Sequence, residues 1–413
     1  MLLQEKKSNL DKIEKYIDIK TLLLTLLLVF IGIAVIYSGT ALFDKNLIFF
    51  NKQILSALIG VGFMIIFAFL PSNFIKSSSI FIYILSIAIL LFVLFFGKTI
   101  YGTRGWLIFG SFSFQPAELA KVATLLMLSK YLSKYNSNVN NIVDFSIMLG
   151  IVLLPFILIL LQPDFGSAVV LIIIFVGILF WGGFDIYYLY LISAMLLTGI
   201  VALKGINIYL VMILFLSLFL LIFRKKIYMY IIGVILITGS GIISHYIYDI
   251  LAPHQQARID VFLNPGLNPQ GIGYNVLQSI LAVGSGGIIG KGYLQGTLTQ
   301  LRYVPMQWTD FIFSIPAEEF GLFGATILIL FLLMMVHRAG TISYLSKDKF
   351  FSTLSFGIAS MFLFHIFVNV GMVIGIFPVM GITLPFISQG GTSLIINMSL
   401  AGLLMNAYRG TKK

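Results

Sequence analysis

The stretch "FSIMLGIVLLPFILILLQPDFGSAVVLIIIFVGILFWGGFD", Phe145 to Asp185, decides the fold class. It is almost unbroken apolar sequence. Its halves, near 145–162 and 166–183, each match the roughly 20 residues that a helix needs to cross the hydrocarbon core of a bilayer. Pro163 separates the halves and the "WGGFD" turn closes the second, since proline and glycine pairs punctuate helices.

Further stretches of this kind lie outward from it, near 21–38, 53–70, 79–97, 116–133, 187–203, 207–223, 227–248, 320–337, 353–376 and 392–408. The pattern predicts an all-α polytopic membrane protein of about twelve transmembrane helices. Composition agrees: of 413 residues, 59% are hydrophobic and 10% charged, against about 25% charged in a soluble domain. Mean hydropathy is +1.05. The absence of cysteine excludes disulfides, thiolate metal sites and a cysteine nucleophile. The opening "MLLQEKKSNLDKIEKYIDIK" is too mixed for a signal peptide and reads as a cytoplasmic tail, 1–20, before an uncleaved first span. Residues 21–413 read as one transmembrane domain.

The net charge of +11 raises nucleic acid or anionic lipid as a partner. The basic residues gather at segment ends, which favours membrane orientation and no nucleic acid. With both termini inside, about 17 Lys and Arg fall inside and about 8 outside, in the direction of the positive-inside rule. The long polar segments 98–115 and 249–319 then lie outside. The second keeps apolar pieces such as "YNVLQSILAV", so short re-entrant or interfacial helices are expected there.

Several residues carry candidate chemistry. "GSGGIIGKG", Gly284 to Gly292, lacks the Ser or Thr after its lysine that a phosphate loop requires and reads as a turn. A softer alternative lets its N–H groups and Lys291 meet a diphosphate. Glu118 and Lys121 share one helix face and can pair. Together with Arg104 they read either as an ion pair at the membrane margin or as a polar cleft for an anion. Asp164 suits a helix N-cap. His365 and Asn369, one turn apart, suit a polar contact between helices. No His/Glu set has metal-ligand spacing. Asp310, in "YVPMQWTDFIF" (Tyr303 to Phe313), is on spacing alone an acid near a helix start, where it favours the macrodipole.

Taken together, "RGWLIFGSFSFQPAELAK" from Arg104, "ARIDVFLNP" from Ala257, "GYNVLQSILAVGSGGIIGKGYLQGTLTQLRYVP" from Gly273, "TDFIFSIPAEEFGLFG" from Thr309 and "NVGMVIGIFPVMGITLPFISQGGTSL" from Asn369 resemble the SEDS family. These are the shape, elongation, division and sporulation glycosyltransferases. "GKGYLQGTLTQL" looks like the RodA branch, with FtsW a close relative. The resemblance implies an enzyme of the bacterial plasma membrane that polymerises lipid II into glycan strands at the outer face during elongation. It also implies a class B penicillin-binding protein as partner. Asp310 becomes the expected catalytic residue. Arg104, Trp106, Glu118 and Lys121 fall on the family's other motif positions.

The chemistry the resemblance implies needs a base for the acceptor hydroxyl and positive charge for the leaving diphosphate. Lys291 and Arg302 join Arg104 and Lys121 as candidates for the latter, with a divalent cation (Mg or Mn) as an optional aid. This sequence has Met306 where the family usually has Glu, and Trp308 where His is common. The family norm is ten spans, so the surplus pair is placed between 187 and 223. The rival readings are a lipid II flippase, an FtsW-type division enzyme and a non-enzymatic scaffold.

Overall fold

The computed structural model describes residues 18–42, 44, 47–100, 102–110, 112–134, 137–250, 256, 259–260, 262–263, 272–305 and 307–411. The chain runs α1 (Ile19–Thr40), α2 (Ile48–Phe69), α3 (Ser72–Phe96), β1 (Lys98–Ile100), β2 (Thr103–Phe109), β3 (Phe112–Phe114), α4 (Pro116–Lys134), α5 (Ile142–Leu160) and α6 (Phe165–Trp181). It continues through α7 (Ile186–Ala202), α8 (Ile206–Phe219) with a short 3-10 turn, α9 (Ile227–Ile250), α10 (Ile272–Ser285), α11 (Thr297–Gln300), α12 (Ser314–Leu345), α13 (Lys349–Val373) and α14 (Gly391–Thr411). Every apolar stretch of the sequence reading is a helix, including both between 187 and 223. The expected tail falls mostly outside the described residues, as do Met306 and most of "ARIDVFLNP".

Local chemistry sets the helix starts. Asp18, Asn141, Asp164 and Asp348 each accept a backbone N–H from the first turn of α1, α5, α6 and α13, the role that short polar side chains fill at an N-cap. The heads of α7 and α12 follow the breaks at Gly182–Gly183 and at the turn ending in Phe313.

Among the described residues, eight helices are long and apolar enough to cross a membrane, and α6 and α7 are shorter apolar ones. The chain is a multi-pass membrane protein. The two remaining long helices, α4 and α14, are the polar ones, and they are also buried along almost their whole length. Burial explains the composition. A helix wrapped by other helices can carry Glu118, Lys121, Asn397 and Asn406, because its neighbours rather than lipid surround those groups. The outward rows of α2 and α3, such as Leu58, Ile65, Phe81 and Phe95, are exposed and apolar as lipid-facing positions should be.

The packing forms two compact units, residues 1–182 with 275–413, and residues 183–274. In the smaller unit, Tyr187 and Tyr190 donate to the carbonyls of Met229 and Leu216 at 2.6 and 2.7 Å, which ties α7 to α9 and α8. Leu191, Ala194, Leu220 and Ile237 fill its core.

One element departs from the all-α expectation. Residues 98–114 form a three-stranded antiparallel sheet, in the order β1-β2-β3, with Lys98 opposite Trp106 and Ile108 opposite Ser113. Reading by span length passes over this pattern, because each strand is too short to register. The tight turns at Gly102 and Gly110 close the two hairpins.

Candidate functional site

The turn before α12 carries Trp308, Thr309 and Asp310, and all three consecutive carbonyls are held, two by the 388–389 segment and one by α13. Gln389 N donates to Trp308 O at 2.8 Å, Ser388 Oγ to Thr309 O at 2.7 Å, and Asn369 Nδ2 to Asp310 O at 2.9 Å. From the other side, Gln307 Nε2 donates to Gly39 O and Thr299 O, both at 2.7 Å, and fixes the turn to the end of α1. Backbone groups paired on both flanks leave the turn little freedom.

Asp310 is half-buried as a residue, yet its carboxyl lies deep among protein atoms. Burial first, and the charge of Asp164 second, push that carboxyl up from the ordinary value of 3.8 to about 6. Gly381 lies against it: a Cβ there would sit 3.9 Å from Asp310 Oδ2, and its φ of +70° suits glycine. Asp164 is buried at the head of α6, where it caps Ser167 N at 3.0 Å and accepts from Gln115 Nε2 at 2.8 Å. Phe311 and Phe313 are buried, and Trp308 packs against Phe49 with ring centroids 4.8 Å apart. The guanidinium of Arg302 lies 5.7 Å from the centroid of the Trp308 ring, a cation–π contact two residues from Asp310 in sequence.

The other expected site residues divide into three groups. Lys121 pairs with Glu118 at 2.7 Å, and both are nearly sealed, at 1% and 5% exposed. The sequence left open a margin pair or an open cleft, and the structure gives an enclosed pair. Glu118 Oε2 has no partner among the described residues, and the charge of Lys121 reaches His365 on α13. Arg104 is exposed on β2 and donates to Phe95 O at 2.9 Å and Gly97 O at 3.3 Å, closing the open carbonyl end of α3. Trp106, on the same strand, donates to Thr103 Oγ1 at 3.3 Å.

Lys291 is committed elsewhere. Its ammonium pairs with Glu318 at 2.6 Å and donates to Ser285 and Thr297 at 2.8 and 2.7 Å. Glu318 is fully buried and also accepts Leu298 N and Thr299 N at 2.9 Å and Thr299 Oγ1 at 2.8 Å. The glycine cluster is therefore a clasp around the head of α12. Gly321, at φ +61°, kinks that helix where a Cβ would meet Gly290 N at 2.5 Å. In this arrangement the charge of Lys291 offsets Glu318 rather than facing an open diphosphate site. Motif and spacing did not single out Glu318. The adjacent acids in "PAEEFG" were the available signal.

His365 and Asn369 do not bridge helices as their spacing suggested. They reach a non-helical segment: His365 Nδ1 lies 3.1 Å from Thr383 O, and Asn369 Nδ2 also donates to Ile382 O at 2.8 Å. Among the described residues, no group of three His, Cys, Asp or Glu could hold a metal ion.

The family model for the FtsW, RodA and SpoVE cell cycle proteins matches residues 15–212 and 205–413. The peptidoglycan glycosyltransferase RodA of Treponema pallidum is 35% identical, over 93% of this chain and 96% of its own length. The peptidoglycan glycosyltransferase MrdB of Escherichia coli K12 is 30% identical, over 98% and 97%. A solved chain from a study of how a peptidoglycan synthase complex coordinates polymerization and crosslinking superposes with a TM-score of 0.73 at 26% identity, covering 96% of this chain and 98% of that one.

Proposed function

The chain belongs to the FtsW, RodA and SpoVE family of cell cycle proteins, and from that membership we propose that it is a peptidoglycan glycosyltransferase using Asp310 as its base. The observation that carries the base assignment is the carboxyl of Asp310, held by its backbone on both flanks and raised to about 6. A general base works best when its pKa lies near the operating pH.

The substrate class is a polyprenyl-diphosphate-linked sugar such as lipid II. The acceptor sugar hydroxyl attacks the anomeric carbon of the donor. As the new C–O bond forms, the bond from that carbon to the diphosphate oxygen breaks. Its electron pair leaves with the diphosphate, the hydroxyl proton passes to Asp310, and the anomeric centre inverts. Arg302 is the cation proposed for the leaving group, because it packs on Trp308 in the turn that carries Asp310. Arg104 and Trp106, on the sheet, are candidates for donor contact. Lys121 and Glu118 act from within the bundle, through His365 and its neighbours. An apolar recess of ≈ 120 Å³ between α1 and α12, lined by Ile31, Val35, Pro316, Phe320 and Leu328, has room for a short piece of an isoprenoid chain.

The excess of basic residues at the opposite helix ends supports placing both termini in the cytoplasm and Asp310 at the outer face of a bacterial plasma membrane. A class B penicillin-binding protein, crosslinking the strands, is the proposed partner. Elongation is favoured over an FtsW-type division role. The test is polymerisation of lipid II by the purified chain, alone and with its partner. The wild type makes glycan strands, and folded Asp310→Asn loses about 100-fold or more. Polymer made by Asp310→Asn at the native rate would falsify the base assignment. An inactive wild type in the presence of its partner would overturn the enzymatic reading.

A further inference from the structure

We propose that Asn369 is a positioning residue for Asp310, its carboxamide clamping the carbonyl of Asp310 to the segment that walls one side of the reacting carboxylate. The inference rests on the reading of Asp310 as the base. Asn369 is fully buried on α13 and lies 59 residues from Asp310 in sequence. Its two amide hydrogens go to two different carbonyls, Asp310 O at 2.9 Å and Ile382 O at 2.8 Å. Both partners are acceptors only, which fixes the orientation of the amide: a flipped group would set its oxygen against two oxygens.

The second carbonyl matters because Ile382 follows Gly381, the residue against Oδ2 of Asp310. One side chain thus sets the spacing between the base and its wall. The price is visible in the same group, since Asn369 Oδ1 is buried with no partner among the described residues. A buried orphan acceptor costs stability, and such groups in native proteins call for an explanation. A group that holds two segments of an active site together supplies one.

The charged and titratable groups around Asp310 are few, so a change in its titration can be traced. Asp164 faces it from α6, and His365 stands one turn from Asn369 on α13. The Glu118–Lys121 pair on α4 faces His365, and Arg302 lies over the ring of Trp308, which is in the same turn as Asp310. Residues 374–390 carry no charge at all.

The experiment measures kcat, KM and the pH profile of lipid II polymerisation for Asn369→Ala and Asn369→Ser, beside Asp310→Asn. Released from the clamp, the carboxyl swings toward water. The expected result for Asn369→Ala is a fall in kcat of about 10- to 100-fold, an unchanged KM, and an acid limb moved to lower pH. Asn369→Ser keeps one donor and should recover part of kcat. Native kcat and a native pH profile in either folded variant overturn the proposal, as does loss of activity with an unmoved acid limb. Failure of both variants to fold also overturns it, since Asn369 is then a stability residue. Activity of Asp310→Asn at the native rate is a separate result, and it sinks the base assignment instead.

Discussion

Asp164→Asn should shift the acid limb of polymerisation to lower pH while leaving the plateau rate close to native. The Asp310 carboxyl stands at about 6 against an ordinary 3.8. That difference of about 2 pKa units corresponds to roughly 3 kcal/mol favouring the neutral form. With a base of that pKa, the ionised fraction is about nine-tenths at pH ~7 and about one-tenth at pH ~5, so the rate falls close to tenfold per pH unit on the acid side.

Burial is the larger cause and Asp164 the smaller. Removing the charge at 164 therefore lowers the limb without returning it to the ordinary aspartate range. Asparagine can still cap Ser167 N, while Gln115 must rotate its amide to face a new partner. The stability consequence has the opposite sense. Because the folded pKa is raised, ionising Asp310 costs stability. That cost is absent below the unfolded pKa, grows as pH rises through about 6, and is complete above it. The assay is initial rate of lipid II polymerisation between pH ~4.5 and ~8, in matched ionic strength. An acid limb near 4 in the wild type would refute the raised pKa, and a limb unmoved by Asp164→Asn would refute the electrostatic coupling.

The clasp on α12 yields two further expectations. Glu318→Ala strands the ammonium of Lys291 and the amides of Leu298 and Thr299. It should destabilise the detergent-solubilised protein by about 3–5 kcal/mol, whereas Lys291→Met combined with Glu318→Gln should cost less than the alanine change; melting by intrinsic fluorescence distinguishes them, and equal losses would refute the pairing. Gly321→Ala forces an unfavourable φ and a Cβ 2.5 Å from Gly290 N, so its loss of melting temperature should exceed that of Gly340→Ala, a position with open space on the same helix.

Much of this protein was legible along the chain. The length of each apolar run fixed the helices, because crossing a bilayer demands a continuous stretch whose backbone is satisfied within itself. Polar and glycine punctuation fixed their ends, charge bias pointed to a sidedness, and the order of motifs identified the family. The sheet at 98–114 escaped because its strands are shorter than any span.

What the tertiary structure alone decided is where each charge is spent. Lys291 and Arg302 look equivalent as basic residues in one polar segment. Packing buries the carboxylate of Glu318 against the first and leaves the second beside Trp308. Glu118 and Lys121 could have lined an open cleft, but the bundle closes over them. Asp310 read as an acid at a helix start, and its raised carboxyl comes first from burial among distant segments and second from Asp164. Hydropathy and capping are properties of neighbours in sequence. Desolvation and hydrogen-bond partnership belong to residues that meet only when the helices pack.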